Sequence, residues 1–397
     1  MILRLAAWCL VMLSGLTLAI DGQHRAGAAE EKAPKAETSG SDSEDGRPEA
    51  STDSQPAQEA TEGEGYAHVE LPPELRALRD RVRRCLARYF QHEEDAAYRS
   101  PWGIMHTLIA FGVDTEITAS GRRYNAIGWL CWNLPCRGMR LFATSGGLPA
   151  PLVGPGRQGH EGQFLAMLAL SRVPADYGIR ANGYEFTIAD LVEYEKQTCM
   201  AGTELSFKLV GLAHYLKSDA TWKNRYGESW DIPRLIKEEL AQPVVGSTCG
   251  GTHRMMGFSY AVRKREERGE PIEGQWWRAK KYVEDYHAYT FKLQNADGSF
   301  STAWFRGRAD YGGIDRHLET TGHILEWLVF SLPQEQLREP RVVRSVDYLT
   351  RLLMEHPTYR WEIGPRGHAL HALAVYDERV FGSKPGQREF LRQRPQP

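Results

Sequence analysis

The sequence predicts an all-α protein, an (α/α)6 toroid of inner and outer helices with one irregular insertion. Six short, almost wholly apolar helical runs recur along the chain, and each begins at polar residues. Most of them follow a longer amphipathic segment that can form an outer partner helix. An open superhelix of the tetratricopeptide type needs a fixed period of about 34 residues, whereas these runs are about 40 to 70 residues apart. The variable spacing therefore favours a closed ring around a central cavity.

The elements follow in order along the chain. Residues 74–95 place apolar side chains at helical spacing on one face, as an outer helix requires. The other amphipathic segments are Phe186–Cys199, Ile232–Leu240, Trp276–Leu293 and Arg341–Glu355. The apolar runs are Trp102–Gly112, His160–Ser171, Glu204–Leu216, Thr252–Arg265, Thr320–Leu332 and Gly367–Tyr376. Residues 116–158 are rich in Gly and Pro and predict an irregular insertion with strand-like pieces at Ala126–Cys131 and Met139–Ala143.

Four segments differ in composition. Residues 1–20 carry one Arg and an apolar core, which is typical of a secretory signal peptide, so we expect an exported protein without a stable membrane span after cleavage. Residues 21–65 hold 12 acidic and 4 basic side chains and no large apolar side chain, which predicts a disordered acidic linker. The toroid domain is expected over 66–390, followed by a polar tail over 391–397.

Charge and cysteine content limit the function classes. Residues 66–397 hold 44 basic and 39 acidic side chains, too small a surplus to indicate a nucleic-acid partner. Five cysteines follow the predicted signal peptide. Cys131 and Cys136 form either a disulfide or a pair of buried thiols.

Residues 291–305, with the sequence FKLQNADGSFSTAWF, carry a family resemblance. Phe291, Gln294, Asp297, Gly298, Ser299 and Phe300 match the Gln-Asp-Gly-Ser-aromatic repeat of terpenoid cyclases and protein prenyltransferase β-subunits. The resemblance implies the toroid superfamily and a structural role, in which the motif ties an outer helix to the next loop. The Asp-x-Asp-Asp string of the cyclases that protonate an alkene is missing from this sequence. An export signal is hard to reconcile with the soluble isoprenyl diphosphate that prenyltransferases bind.

The N-terminal ends of the predicted inner helices are where chemistry is expected. Free N–H groups and the helix dipole favour anions there, and histidine is suited to proton transfer near neutral pH. The candidate catalytic residues at these ends are His160, Glu161, Cys249, His253 and His323. A polar segment before the fifth inner run, from Arg306 to His317, either covers the mouth of the ring or is an ordinary solvated connection.

Cys249 and His253, separated by Gly250, Gly251 and Thr252, allow three interpretations. They can form a thiolate–imidazolium pair at a helix N-terminus. They can supply two zinc ligands, with His323 or Glu319 completing the set, and zinc is the one cofactor that the sequence suggests. Alternatively, Cys249 forms a disulfide with Cys199 or is a buried thiol.

Three functions are compatible with these observations. The first is an exported enzyme that acts on a polysaccharide or cell-envelope polymer in the central cavity, by fold-level analogy with toroidal polysaccharide lyases. The second is a non-catalytic toroid that binds a polymer, peptide or small molecule. The third is a terpenoid-cyclase-like protein, which requires an apolar cavity. Convergence of His160, His253, His323 and Cys249 in one place would favour an enzyme or a metal site.

Overall fold

The computed structural model describes residues 71–393, which belong to one compact unit. This part of the chain is mainly helical, with twelve α-helices and nine short strands. The predicted signal peptide, the acidic linker and the last four residues of the predicted tail lie outside the described residues. Leu391, the first residue of that predicted tail, is fully buried.

The helices alternate between two kinds. The odd-numbered helices are α1 (Pro73–Phe90), α3 (Ala126–Cys131), α5 (Ile188–Gln197), α7 (Ile232–Leu240), α9 (Gly274–Lys292) and α11 (Pro340–Glu355). The even-numbered helices are α2 (Pro101–Phe111), α4 (Gln163–Leu170), α6 (Ser206–Tyr215), α8 (Thr252–Glu267), α10 (Gly313–Ser331) and α12 (Ile363–Phe381). All six apolar runs and all five amphipathic segments predicted from the sequence are helical.

Burial separates the two kinds as the apolar pattern predicts. The even-numbered helices bury most of their residues, as helices that are covered on all sides do. The longer odd-numbered helices bury one stripe and expose charged side chains on the other face. The hydrophobic core therefore lies along and between the even-numbered helices.

Contacts among the even-numbered helices form a closed cycle. Each of them contacts the next one along the chain, and α12 contacts α2. Glycines allow close approach at these crossings. A Cβ atom at Gly257 of α8 would lie 3.0 Å from the Ser206 carbonyl oxygen of α6, and one at Gly367 of α12 would lie 2.2 Å from the His106 carbonyl oxygen of α2.

The strands form small sheets beside the helices. Their bounds are β1 (Glu94–Asp95), β2 (Glu116–Ala119), β3 (Arg122–Asn125), β4 (Phe142–Ser145), β5 (Leu148–Pro151), β6 (Gly178–Ala181), β7 (Tyr184–Thr187), β8 (Thr221–Lys223) and β9 (Ser229–Asp231). β1 pairs in parallel with β2, and the other pairs are antiparallel hairpins. The prediction of a strand at Ala126–Cys131 is wrong, because this segment is α3. Of Met139–Ala143, only the last two residues lie in a strand.

Three of the hairpins run directly into an odd-numbered helix. The last residue of each hairpin is the helix N-cap: Asn125, Thr187 and Asp231 accept hydrogen bonds from the first backbone N–H groups of α3, α5 and α7. Such caps satisfy donors that have no partner within the helix. The hairpin thereby fixes where each helix begins.

The Gln-Asp-Gly-Ser-Phe segment joins α9 to α11. The Gln294 amide donates to the Arg341 carbonyl oxygen at 2.9 Å and to Ser345 Oγ at 2.7 Å. Phe300 is fully buried below it. The segment thus has a structural role, which is what the resemblance implies.

Within residues 71–393 no helix combines the length and the apolar character needed to cross a membrane.

Candidate functional site

Most of the predicted site residues lie at the N-terminal parts of the even-numbered helices. His160 lies in the turn before α4, Cys249 lies in the turn before α8, and His253 is the second residue of α8. His323 does not lie at the start of its helix as predicted, because α10 begins at Gly313, about three turns earlier. Its neighbours on α10 therefore decide its chemistry, rather than a helix N-terminus.

The turn before α8 has an unusual backbone. Cys249, Gly250 and Gly251 all have positive φ angles, of 47°, 64° and 86°. For a residue with a Cβ atom, the left-handed conformation costs about 1–2 kcal/mol. At Gly250 only glycine fits, since a Cβ atom there would lie 2.2 Å from the Trp304 indole. Backbone strain of this kind is concentrated at functional sites, and here it fixes the position of the Cys249 thiol.

The structure brings four of the five predicted residues together. Ligand-type atoms of Cys249, His253 and His323 all lie within 4.8 Å of one another. Atoms of His160, Glu204 and His253 form a second such group, so that His253 is common to both. His160, His253, His323 and Cys249 therefore converge in one place, as an enzyme or metal site requires.

Glu161 is the predicted residue that takes a different position. Its carboxylate lies 3.3 Å from Lys208 Nζ, and Lys208 is fully buried and donates to Glu195 at 2.5 Å. Burial acts to lower the Lys208 pKa, but the Glu195 carboxylate outweighs it and raises the pKa. The partner of His160 Nδ1 is not Glu161 but Glu204, at 2.7 Å.

Two further histidines that were not among the candidates complete the cluster. His368 of α12 stacks on His323, with 3.9 Å between ring centroids, and His106 of α2 lies 5.5 Å from His368. All four core histidines of this cluster are at most 9% exposed: His106, His253, His323 and His368. The cluster therefore draws residues from all six even-numbered helices or the turns before them, near the N-terminal ends except in α10, where His323 lies near the middle.

Hydrogen bonds at Nδ1 set the orientation of most of these rings. His106 and His323 donate to the backbone carbonyl oxygen four residues earlier, each at 2.7 Å. His368 donates to Glu326 Oε2 at 2.7 Å. An Nδ1–H bonded to a carbonyl or carboxylate leaves Nε2 with its lone pair, which is the arrangement of metal-binding histidines. The tautomers follow from these partners.

Glu326 was missed by the sequence reasoning, together with its second partner, His371. Glu326 accepts from His368 and, through its other oxygen at 2.5 Å, from His371. His323 and Glu326 are three residues apart on α10, and His368 and His371 are three apart on α12. Pairs at this spacing share a helix face, and that spacing was the signal available in the sequence.

His253 differs from the other rings because neither of its nitrogens has a hydrogen-bond partner within the described residues. Its Nδ1 lies 3.9 Å from Glu204 Oε1, which is beyond hydrogen-bond distance. Burying a polar group without a partner costs roughly 1–3 kcal/mol. An imidazole left in this state calls for an explanation such as a bound ion or water.

Burial keeps three of the core histidines, His106, His253 and His323, neutral at neutral pH. It lowers the pKa of His106 to about 3 and of His253 to about 4, and the pKa of His323 also falls well below its ordinary value. Burial acts to raise the pKa of Glu326, but His368 and His371 outweigh it and lower the pKa, so Glu326 is ionised. Neutral imidazoles can bind a cation without first losing a proton.

The Cys249 thiol is protonated in this environment. Burial, followed by the charges of Glu319, Glu204 and Glu326, raises its pKa to about 12. This counts against a free thiolate–imidazolium pair. A bound cation reverses the balance, because a metal ion deprotonates a coordinating thiol.

All five described cysteines are free thiols. The disulfide alternatives for Cys131 with Cys136 and for Cys249 with Cys199 are therefore wrong, and the alternative of buried thiols at Cys131 and Cys136 is confirmed.

The polar segment 306–317 is connected to the cluster through Trp304, since the Arg316 guanidinium lies 5.1 Å from the centroid of the Trp304 ring. Arg316 belongs to α10 and donates to the Thr302 carbonyl oxygen at 2.8 Å. Trp304 packs on Gly250, and its ring lies 5.7 Å from that of His323. Beside this segment is a pocket of about 500 Å³, lined by Asp315, Arg316, Glu319, Tyr359, Arg360 and Glu362 among others.

A smaller pocket of about 150 Å³ reaches His253 and Glu204 directly. A further pocket, of about 570 Å³, lies at the other ends of the even-numbered helices. Comparisons of the chain with protein families, curated proteins and solved structures gave no match.

Proposed function

We propose that the described domain is an (α/α)6 toroid whose inner helices are the even-numbered ones. Two observations support this. The even-numbered helices contact one another in a closed cycle. The histidine cluster takes residues from their preceding turns, from their N-terminal parts and, in α10, from near the middle, whereas their C-terminal parts all line the 570 Å³ pocket, so the six helices run in one direction. A ring of parallel inner helices with antiparallel outer partners has this arrangement.

The function that the geometry supports best is that of a zinc-dependent enzyme, with Cys249, His253 and His323 as the metal ligands. The observation that carries it is the buried and unpartnered His253 imidazole, which has the Cys249 thiol and the His323 ring within 4.8 Å. Zinc prefers sulfur and imidazole ligands, and catalytic zinc sites have three protein ligands and an open fourth position.

The donor set fits the ion. Ligand atoms at about 2.0–2.3 Å from a tetrahedral zinc are roughly 3.3–3.8 Å apart. The present separations, of up to 4.8 Å, close to this range with small side-chain rotations. His323 is already held by its Nδ1 hydrogen bond to the Glu319 carbonyl oxygen, which presents Nε2 to the site.

Bound zinc supplies Lewis-acid activation of a water molecule or of a substrate oxygen. The neighbouring residues supply the proton chemistry. Glu204 accepts from His160 Nδ1 and thereby fixes the tautomer in which Nε2 can accept a proton. The His160 and His253 rings are 4.9 Å apart, so a group bound beside His253 is within reach of His160.

The substrate class of this proposal is a polar polymer such as a polysaccharide or a cell-envelope polymer, met outside the cytoplasm. Support comes from the charged lining of the 500 Å³ pocket and from exposed Tyr311 and Tyr359 near the same helix ends. Aromatic faces of this kind suit stacking on sugar rings. A polar pocket counts against the terpenoid-cyclase-like alternative, which requires an apolar one.

The test is zinc content per chain, measured by inductively coupled plasma mass spectrometry on the full chain after zinc loading and dialysis. We expect one zinc per chain in the wild type. In His253→Gln and Cys249→Ser, zinc binding should be at least tenfold weaker, and a tenfold change corresponds to roughly 1.4 kcal/mol. His287→Gln is the matched control, since His287 is also a part-buried histidine with a lowered pKa but lies outside the cluster.

Absence of tight zinc in the wild type would overturn the proposal. Weak binding in His253→Gln together with normal binding in Cys249→Ser would move the ion to His160, Glu204 and His253 and overturn the ligand assignment. Tight zinc without hydrolysis of any polymer tested would favour the alternative of a non-catalytic binding ring.

A further inference from the structure

A second pocket of the described domain lies opposite the histidine cluster. It has a volume of about 570 Å³ and is lined by residues from the C-terminal parts of all six even-numbered helices. Small-molecule sites in proteins typically have volumes of about 300–1,000 Å³. The proposed zinc enzyme makes no use of this pocket, so its chemistry needs a separate account.

The charge of the lining is predominantly positive. Its basic side chains are Arg172, Arg263, Lys264, Arg379 and Arg388, and its acidic ones are Glu267 and Glu378. Helix C-termini attract cations, so some basic residues are expected at this end for purely structural reasons. The question is which of the five have that role.

Three of the basic side chains are satisfied by the protein itself. Arg379 donates to the carbonyl oxygens of Val329, Phe330 and Leu332, which caps the end of α10. Arg172 pairs with Glu378 at 2.6 Å. Lys264 pairs with Glu267 at 2.8 Å. These residues need no ligand.

Arg388 has no such partner, although it is only 4% exposed. Its Nε has no hydrogen bond within residues 71–393, and the nearest carboxylates, of Glu378 and Asp114, are 3.8 Å and 4.0 Å from its Nη atoms. Its one hydrogen bond, to the Ala374 carbonyl oxygen, is long at 3.5 Å. A guanidinium has five N–H donors and stays charged in proteins, and the buried Nε–H of Arg388 has no acceptor among the described residues.

Arg263 is similar. It lies over the Phe330 ring, 4.6 Å from the centroid, and its Nε is 4.0 Å from Glu267. Among the described residues its guanidinium has no hydrogen-bond acceptor. Burial lowers the pKa of both Arg263 and Arg388, which shows that the protein disfavours these charges without fully compensating for them. The charge of Arg172 also acts on both groups in the unfavourable direction.

We propose that this pocket binds a small organic oxyanion with two or more negative charges, a phosphate ester or a polycarboxylate, and that Arg263 and Arg388 bind its charged groups. The planar guanidinium donors match carboxylate and phosphate oxygens in bidentate pairs. Ile109, Tyr260, Phe330 and Val375 line the same pocket and provide an apolar surface for the carbon part of the ligand. The ligand supplies an acceptor to the buried Arg388 and takes the place of solvent at the partly exposed Arg263.

The test is isothermal titration calorimetry of the full chain, without added metal, at constant ionic strength. The probes are pyrophosphate, inorganic phosphate and citrate. We expect measurable binding of a multivalent probe to the wild type and about tenfold or greater weakening in Arg263→Gln, as loss of a charge-assisted hydrogen bond implies. Arg388→Lys, which keeps the charge and removes the bidentate geometry, should weaken binding as well.

Arg278→Gln is the matched control, because Arg278 is an exposed helical arginine on α9 far from the pocket lining. A melting temperature for each variant separates loss of binding from loss of folding. Tighter binding of pyrophosphate than of citrate identifies a phosphate ester, and the reverse order identifies a polycarboxylate. Absence of binding by all three probes at millimolar concentration, or equal binding by Arg263→Gln and the wild type, would overturn the proposal. Neither result depends on zinc or on turnover, so this test is independent of the proposed enzyme.

Discussion

Replacing Gly367 by Ala tests how closely α12 packs against α2. Gly367 lies in the second turn of α12, one residue before His368. A Cβ atom added there would lie 2.2 Å from the His106 carbonyl oxygen and 3.0 Å from its carbonyl carbon. Since these are backbone atoms of a packed helix, a side-chain rotation cannot relieve the overlap.

The expected loss follows from two opposing effects. An ordinary contact begins at 3.4 Å, so the two helices must separate by roughly 1 Å. Overpacking of this kind costs about 1–3 kcal/mol or more. Alanine gains about 0.5–1 kcal/mol over glycine in a helix interior. We therefore expect Gly367→Ala to lower the free energy of unfolding by about 2 kcal/mol.

Urea denaturation followed by circular dichroism measures this change. Gly103→Ala is the matched control, because Gly103 is a buried glycine of α2 where a Cβ atom would have its nearest neighbours at 3.6 Å. There only the helix propensity changes, so a stabilisation of about 0.5–1 kcal/mol is expected. Equal stability of Gly367→Ala and Gly103→Ala would show that the two helices are not in contact at this crossing.

Three further predictions concern the pH dependence of stability, the Cys249 thiol and a helix cap. Burial lowers the pKa of His287 from 6.5 to about 4, so its contribution to stability is present above about pH 6.5 and is lost as the pH falls towards 4. Urea denaturation at several pH values measures this loss of unfolding free energy. His287→Gln should reduce the loss by up to about 3 kcal/mol. In metal-free protein, iodoacetamide should modify Cys249 about a thousandfold more slowly than an ordinary thiol, because the pKa of Cys249 is raised from 9.0 to about 12. Mass spectrometry measures the rate of modification. Rapid modification of the folded chain would contradict the burial of this thiol. Asp231→Ala removes the N-cap of α7, where the Asp231 carboxylate accepts from the Arg234 backbone N–H, and should lower the free energy of unfolding by about 1 kcal/mol. Glu273→Ala is the control, because Glu273 is the N-cap of α9 but makes no side-chain hydrogen bond there. It should change stability by less than about 0.5 kcal/mol.

The helices were predictable because the apolar residues that become buried recur in the sequence at helical spacing. Runs such as MMGFSYAV in α8 are apolar on all sides, and a helix that is covered on all sides must have this composition. Helix starts were less predictable. α10 begins seven residues before Thr320, because its first two turns carry polar residues such as Asp315 and Arg316, which an apolar pattern does not include.

The hairpins were missed for a different reason. β6 and β7 are four residues each, and their alternation is too short to compete with the helical pattern that follows. The turn residues Asn182 and Gly183 were the available signal, since both have positive φ angles, as a two-residue hairpin turn requires. A pattern of hairpin, cap and helix at α3, α5 and α7 is apparent only when the three are compared.

The histidine cluster was predictable in part because residues at helix starts can be identified in the sequence, whereas residues that meet across the interior cannot. His160, His253 and Cys249 were found by position. Glu326 was not, since one acidic residue within the apolar run HILEWLVF has no partner in its own helix. The structure supplies two partners from α12, His368 and His371.

Glu326 also joins the two ends of the domain. Through His368 it is in contact with the cluster around His323, and through His371 it reaches the lining of the 570 Å³ pocket. A buried carboxylate is tolerated only when it is paired and hydrogen bonded, and here each oxygen accepts from one imidazole. A charged group placed at this depth is costly for an apolar core, which could be filled by leucine at the same position. Glu326 therefore lies between the two proposed sites, with one hydrogen bond on each side, to His368 and to His371.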